Sequence, residues 1–117
     1  MDRDSPLPVV FYQSLSGREP VREWLKSLST EDRKLIGEDI KTVQYGFPLG
    51  MPLVRKLKPK LWEIRSTLPD RIARTLFTID KDHIILLHGF IKKSQKTPAE
   101  DLDLALKRIA NLQDNQR

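Results

Sequence analysis

The segment Ile84-Ile85-Leu86-Leu87-His88-Gly89-Phe90 carries the strongest structural signal in this chain, because it begins with an unbroken apolar run bounded by turn residues. Its residues are apolar on both faces, so we expect a strand covered at least partly on each side. Two further runs precede it, an alternating one from Leu61 to Ser66 and another from Ile72 to Ile79. With turns at Leu68-Pro69-Asp70 and Asp80-Lys81-Asp82, the three runs predict an antiparallel meander.

The part of the chain before the meander predicts one short strand and two helices. Val9 to Tyr12 is β-prone, and apolar residues between Val21 and Leu28 recur at helical spacing. Ser29 is suited to cap a second helix, which ends at Gly46. We expect these two helices to form a helical hairpin.

A last helix follows the meander. Thr97 is placed to be its N-cap, Pro98 takes the first helical position, and Glu100 completes a capping box. The predicted order is therefore β-α-α-β-β-β-α. This is an α+β fold in which a small antiparallel sheet packs with an N-terminal helical hairpin and a C-terminal helix. We expect one domain over residues 1–117, with an ordered core at about 9–112.

Composition limits the class of protein. The chain has 117 residues and no cysteine, which excludes disulfides and thiolate metal sites. It has no apolar run long enough to span a membrane and no signal-peptide core, so we expect a cytoplasmic protein. Its two histidines make no metal set with spaced acids, and Asp80 and Asp82 are expected to be turn residues.

Positive charge is concentrated in one half of the chain. Residues 55–96 contain eleven Lys and Arg against four acids, so this segment carries +7 and the remainder −2 of the net +5. The cationic residues Lys92, Lys93 and Lys96 follow the end of the last strand. Because clustered like charges repel, a polyanion such as nucleic acid would stabilise this arrangement.

Two arginines can reach the same surface. Arg65 lies on the first strand of the meander and Arg74 on the second, so both could bind one phosphodiester. The alternative is that each arginine pairs with Glu63 or Asp70.

Other side chains admit two interpretations. His88 is either a structural residue of a strand or a general acid or base, whose ordinary pKa lies near neutrality. Trp24 and Trp62 could stack on bases, but their spacing favours core packing.

Several strings together resemble one family. They are Gly17, Pro20-Val21, Glu23-Trp24-Leu25, Leu57, Leu61-Trp62-Glu63-Ile64-Arg65, Arg71, Arg74, His88-Gly89-Phe90-Ile91-Lys92-Lys93-Ser94-Gln95-Lys96-Thr97-Pro98, Ala105 and Arg108. This set resembles the phage-derived HigB branch of the RelE/ParE toxin superfamily, and the resemblance covers roughly Val9 to Leu112.

The resemblance implies a type II toxin with a RelE-like fold that cleaves mRNA in the ribosomal A site, without a metal or another cofactor. It also implies a neutralising HigA-like antitoxin with a helix-turn-helix domain. Arg65, Arg74 and one of Lys92 or Lys93 match basic positions of related toxins. Lys96 lies near the place where some relatives carry a tyrosine.

The predicted site has two parts. The residues assigned to catalysis are Arg65, Arg74, His88, Lys92, Lys93 and Lys96. The residues assigned to RNA binding are Arg55, Lys56, Lys58, Lys60, Arg71, Ser94 and Gln95. Two other functions stay open at this point: a ParE-like gyrase inhibitor that binds without cutting RNA, and an inert prophage remnant that binds nucleic acid.

Overall fold

The chain folds as an α+β protein with one five-stranded mixed sheet and three helices. The computed structural model describes residues 5–92 and 97–115. The strands are β1 (Val9–Phe11), β2 (Val54–Lys58), β3 (Leu61–Thr67), β4 (Ile72–Asp80) and β5 (His83–Lys92). The helices are α1 (Pro20–Ser27), α2 (Thr30–Gly46) and α3 (Ala99–Asn115).

The sheet has the strand order β1-β5-β4-β3-β2. The predicted meander is present, because β3, β4 and β5 pair antiparallel with their neighbours. Two features add to the predicted arrangement. β2 extends the meander by one antiparallel strand, and β1 pairs parallel with β5. The connection between β1 and β5 contains α1, α2 and the strands β2 to β4.

Helices cover both faces of this sheet. On the face that we call the hairpin face, α1 and α2 place Val21, Ile36 and Val43 in one apolar cluster with Phe77. On the opposite face, which we call the α3 face, Ala105 belongs to a second apolar cluster. β5 supplies both, Ile84 and Leu86 to the first and Ile85 and Leu87 to the second. The prediction of a strand buried on both sides is therefore confirmed.

The helix cap at Ser29 and the turn between β4 and β5 also agree with the predictions from the sequence. The side chain of Ser29 accepts a hydrogen bond from the backbone N–H of Asp32 at 3.1 Å, so Ser29 caps α2. Lys81 and Asp82 connect β4 to β5 with positive φ angles of 50° and 63°. A two-residue hairpin loop of the I′ type needs this conformation at both positions.

Trp24 packs on the backbone of β5 rather than on a ligand. A Cβ atom added at Gly89 would lie only 2.1 Å from the Trp24 indole, so glycine is required for this close approach. Trp62 stacks on Phe77 with ring centroids 5.8 Å apart and meets Phe47 edge-on at 5.3 Å. Both tryptophans are therefore core residues, as the spacing predicted.

The contact at Gly89 yields a stability prediction with an internal control. Gly89→Ala should lower the free energy of unfolding by about 1–3 kcal/mol, because the new methyl group forces Trp24 away from the sheet. Gly37→Ala should raise it by about 0.5–1 kcal/mol, because this helical position has open space around it. Urea unfolding measures both changes. Equal effects of the two substitutions would contradict the packing described here.

Candidate active site

The α3 face of the meander gathers polar side chains in two adjacent rows. In one row Arg65 of β3 lies opposite Arg74 of β4, which lies opposite Phe90 of β5. In the next row Glu63 and His88 lie on either side of Leu76. The start of α3 covers both rows and adds two more polar side chains. We call the whole group the polar cluster: Glu63, Arg65, Arg74, His88, Thr97 and Asp101.

Glu63 lies at the centre of the polar cluster and is completely buried. Its Oε2 atom accepts a hydrogen bond from the Thr97 hydroxyl at 2.6 Å and lies 3.5 Å from Arg74 Nη1. Its Oε1 atom lies 3.9 Å from Arg65 Nε. A buried carboxylate must be compensated by opposite charge or hydrogen bonds. The two arginines supply the opposite charge and Thr97 supplies a hydrogen bond to Oε2, whereas Oε1 accepts no hydrogen bond from the described residues. Thr97 also ties the start of α3 to the sheet.

The two arginines differ in accessibility. The side chain of Arg74 has no exposed surface, whereas that of Arg65 is 13% exposed. In this conformation part of the Arg65 side chain is open to solvent, whereas no part of the Arg74 side chain is. Both arginines lie close to Glu63, as the alternative interpretation expects. Direct binding of phosphate by both arginines stays a prediction, and for Arg74 it requires that the buried guanidinium become exposed.

His88 makes the other charged contact of the polar cluster. Its Nε2 atom lies 2.6 Å from Oδ1 of Asp101 in the first turn of α3. Its ring stacks on Phe90 with centroids 5.4 Å apart. Together these contacts hold the imidazole in one orientation at the border of the cluster, where its side chain is 17% exposed.

A β-bulge turns His88 towards α3. Leu76 pairs with His88 and Phe77 pairs with Leu86, so Leu87 is an extra residue in β5. Arg108 of α3 donates from Nη1 to the Leu87 carbonyl at 2.6 Å. Burial lowers the pKa of the Arg108 guanidinium, and the neighbouring Tyr12 opposes this effect. The Leu87 carbonyl at the bulge thus accepts a hydrogen bond from Arg108, which stabilises the bulge.

The basic residues of β2 and the following turn lie at the sheet edge. Arg55 is exposed and lies opposite Glu63, so it extends the α3 face beside the polar cluster. Lys56 points to the hairpin face, where its Nζ lies 5.6 Å from the Trp62 ring centroid. Lys58 and Lys60 are exposed at the end of the strand and in the turn. The residues predicted to bind RNA are thus divided between two faces.

Arg71 does not join the polar cluster. Its Nη2 atom donates a hydrogen bond to Asp32 at the start of α2, and its Nε atom lies 3.2 Å from Asp70 Oδ1. Its guanidinium therefore faces two carboxylates next to the helical hairpin. This position gives Arg71 a structural contact and separates it from the other cations assigned to RNA.

The remaining assigned residues follow the end of β5. Lys92 is the last residue of that strand. Lys93, Ser94, Gln95 and Lys96 lie outside the described residues, so their assignments stay predictions. Within residues 5–92 and 97–115, no three His, Cys, Asp or Glu side chains cluster as a metal site requires. Over the same ranges no helix has both the length and the apolar character to cross a bilayer.

Sequence reasoning assigned no site role to Asp101 and gave Thr97 only a capping role. The alternation in Leu61-Trp62-Glu63-Ile64-Arg65 does place Glu63 on the same face as Arg65, since the two residues are two positions apart. Asp101 carries no such signal. It is 13 positions from His88, and only the packing of α3 brings them together.

Comparison with known proteins identifies one family. The family described as Phage derived protein Gp49-like (DUF891) matches residues 23–110. The matched region contains β2 to β5 and every residue of the polar cluster. No curated protein matches the chain.

The buried charges of the polar cluster yield a test of their coupling. Glu63→Gln should lower the free energy of unfolding by about 3–5 kcal/mol, because it leaves the buried charge of Arg74 without its carboxylate. Arg74→Met should also be strongly destabilising. The double variant should lose at least about 1 kcal/mol less free energy of unfolding than the two single variants together. Urea unfolding of the four proteins measures the coupling.

The exposed ion pair between Arg18 and Glu23, whose N–O distance is 2.7 Å, provides a matched control. A double-mutant cycle on Arg18 and Glu23 should give a much smaller coupling energy, because solvent screens the attraction between the two charges. Additive effects of Glu63→Gln and Arg74→Met would contradict the buried pair.

Proposed function

The chain belongs to the Phage derived protein Gp49-like family, which contains RelE- and HigB-like toxins, and on this premise we propose that it is the toxin of a type II toxin–antitoxin system. We further propose that it acts as a HigB-like, metal-independent endoribonuclease that cuts mRNA in the ribosomal A site and thereby arrests translation. The observation that carries this proposal is the convergence of Arg65, Arg74 and His88 on one sheet face, beside the exposed Arg55.

The proposed reaction is a transesterification within RNA. The ribose 2′-oxygen attacks the adjacent phosphorus, and the bond from phosphorus to the 5′-oxygen breaks. Arg65 is the accessible cation that stabilises the charge growing on the non-bridging oxygens. Arg74 acts from its buried position, where it balances Glu63 and adds positive potential to the site. One of Lys92, Lys93 or Lys96 supplies the proton for the leaving 5′-oxygen.

In this proposal the ribosome helps to position the RNA at the site. The side chains of the polar cluster are mostly buried, so a free RNA strand finds few exposed cations there. Arg55 beside the cluster, and Lys58 and Lys60 further along the same sheet edge, are exposed and suit phosphates of mRNA or ribosomal RNA. A HigA-like antitoxin with a helix-turn-helix domain would neutralise the toxin by covering this basic face.

A second candidate function is supported by the burial of Arg74. A ParE-like inhibitor of DNA gyrase needs a binding surface but no accessible catalytic cations. Under that alternative the polar cluster is a structural core, and the exposed basic edge contacts the target. Inhibition of supercoiling by the purified protein, together with intact mRNA in induced cells, would favour the gyrase inhibitor.

Induction in cells tests the nuclease. Primer extension should find discrete cuts within translated codons soon after expression, together with growth arrest. Arg65→Ala should reduce cleavage about 100-fold, because the variant loses a donor to the transition-state oxygens.

Lys41→Ala is the matched control, because Lys41 is an exposed cation on α2. It should cut like the natural protein, and circular dichroism should show that both variants fold. Unchanged cleavage by Arg65→Ala would contradict the assigned role. Growth arrest without any cut would exclude the nuclease.

A further inference from the structure

We propose that Asp101 is a positioning residue that fixes His88 as the base of this reaction, with Nδ1 of the imidazole as the atom that accepts the proton. The inference rests on the proposed function and deepens it. It assigns a role to an acidic side chain of α3. This helix lies outside the meander, whose strands carry Arg65 and Arg74.

The hydrogen bond between the two residues determines the tautomer. The Asp101 carboxylate only accepts hydrogen bonds when ionised, so Nε2 of His88 must donate in the 2.6 Å contact. A neutral imidazole carries one proton, and with that proton on Nε2 the lone pair is left on Nδ1. Nδ1 makes no hydrogen bond to any residue in the described part of the chain. It is therefore the ring atom available to a substrate.

The surroundings hold this pair in place. Phe90 stacks on the imidazole with planes 26° apart, and the bulge at Leu87 sets the direction in which His88 leaves the sheet. Asp101 lies in the first turn of α3, where the helix dipole stabilises an ionised carboxylate. Both side chains are partly buried, at 17% and 16% exposure. This shields their interaction from solvent but leaves an edge of the ring accessible.

The charged groups around His88 make Asp101 its dominant partner. On β4 its direct neighbour is the apolar Leu76, and Arg74 lies two pairs further along, 3.5 Å from Glu63. On α3 the cation Arg108 donates to the Leu87 carbonyl. Among the described residues, Asp101 is therefore the charged group in contact with the ring.

His88 lies within reach of the phosphate that Arg65 would bind. The two residues are two strands apart, about 10 Å across the sheet, and occupy adjacent rows of the same face. Their side chains can approach one nucleotide from two sides. The proton of the ribose 2′-OH passes to Nδ1 as the 2′-oxygen bonds to phosphorus. The 5′-oxygen leaves and takes a proton from one of the lysines named above.

Nuclear magnetic resonance tests the pair without any RNA. The chain has only two histidines, and a His83→Gln variant assigns their signals. Nitrogen shifts of neutral His88 should show the proton on Nε2. Asp101→Asn should shift part of the neutral rings to the tautomer with the proton on Nδ1, because the amide can donate to Nε2 as well as accept from it. Asp103→Asn, at an exposed position of the same helix, should leave the tautomer unchanged.

Kinetics with ribosomes separate a catalytic pair from a purely structural one. His88→Gln should lower kcat about 100-fold with little change in KM. Asp101→Asn should lower kcat with little change in KM, because part of the neutral rings would carry the proton on Nδ1 and could not accept another there. Asp103→Asn should keep the natural kcat and KM.

Each outcome has a distinct meaning. A proton on Nδ1 in neutral His88, or a tautomer that Asp101→Asn leaves unchanged, would overturn the inference even if no variant could be assayed with RNA. Full activity of a folded His88→Gln would overturn it while leaving the nuclease intact. Failure of the natural protein to cut RNA on ribosomes would instead refute the proposed function, and the catalytic role of the pair with it.

Discussion

The buried carboxylate of Glu63 is the interaction on which the polar cluster depends. Two arginines on adjacent strands lie directly opposite each other at Arg65 and Arg74, which places like charges side by side. Glu63 lies close to both and also accepts from Thr97, so one acidic residue offsets part of their positive charge and anchors α3. Inside a protein such charges interact more strongly than in water, and losing one of them leaves the others uncompensated.

The two-sided packing of the sheet makes this arrangement possible. α1 and α2 cover one face so closely that Gly89 has no room for a side chain beside Trp24. The opposite face is then free to receive α3, whose first turn adds Thr97 and Asp101 to the polar cluster. The bulge at Leu87 contributes to the same arrangement, because it directs His88 towards α3. The site is thus built from strand register on one side and helix docking on the other.

Much of the fold could be predicted from the sequence, because its signals are local. Alternating runs, the Ser29 cap and the hairpin turn each act within a few residues, and the structure has all three. The parallel pairing of β1 with β5 could not be predicted, since it joins segments more than 70 positions apart. The features of the site likewise fall into those that local sequence predicts and those that it does not. Arg65 and Arg74 share a face by strand alternation, whereas the burial of Arg74 and the contact of Asp101 with His88 depend on α3 docking.

Cleavage of mRNA by the purified protein on ribosomes is the most direct test of the account. Programmed ribosomes stalled with a defined codon in the A site would be incubated with the protein, and the RNA ends would be analysed by mass spectrometry. The account predicts one cut in that codon, with a 2′,3′-cyclic phosphate, or the 3′-phosphate formed from it, on one fragment and a 5′-hydroxyl on the other. Intact mRNA on ribosomes that have bound the folded protein would contradict it.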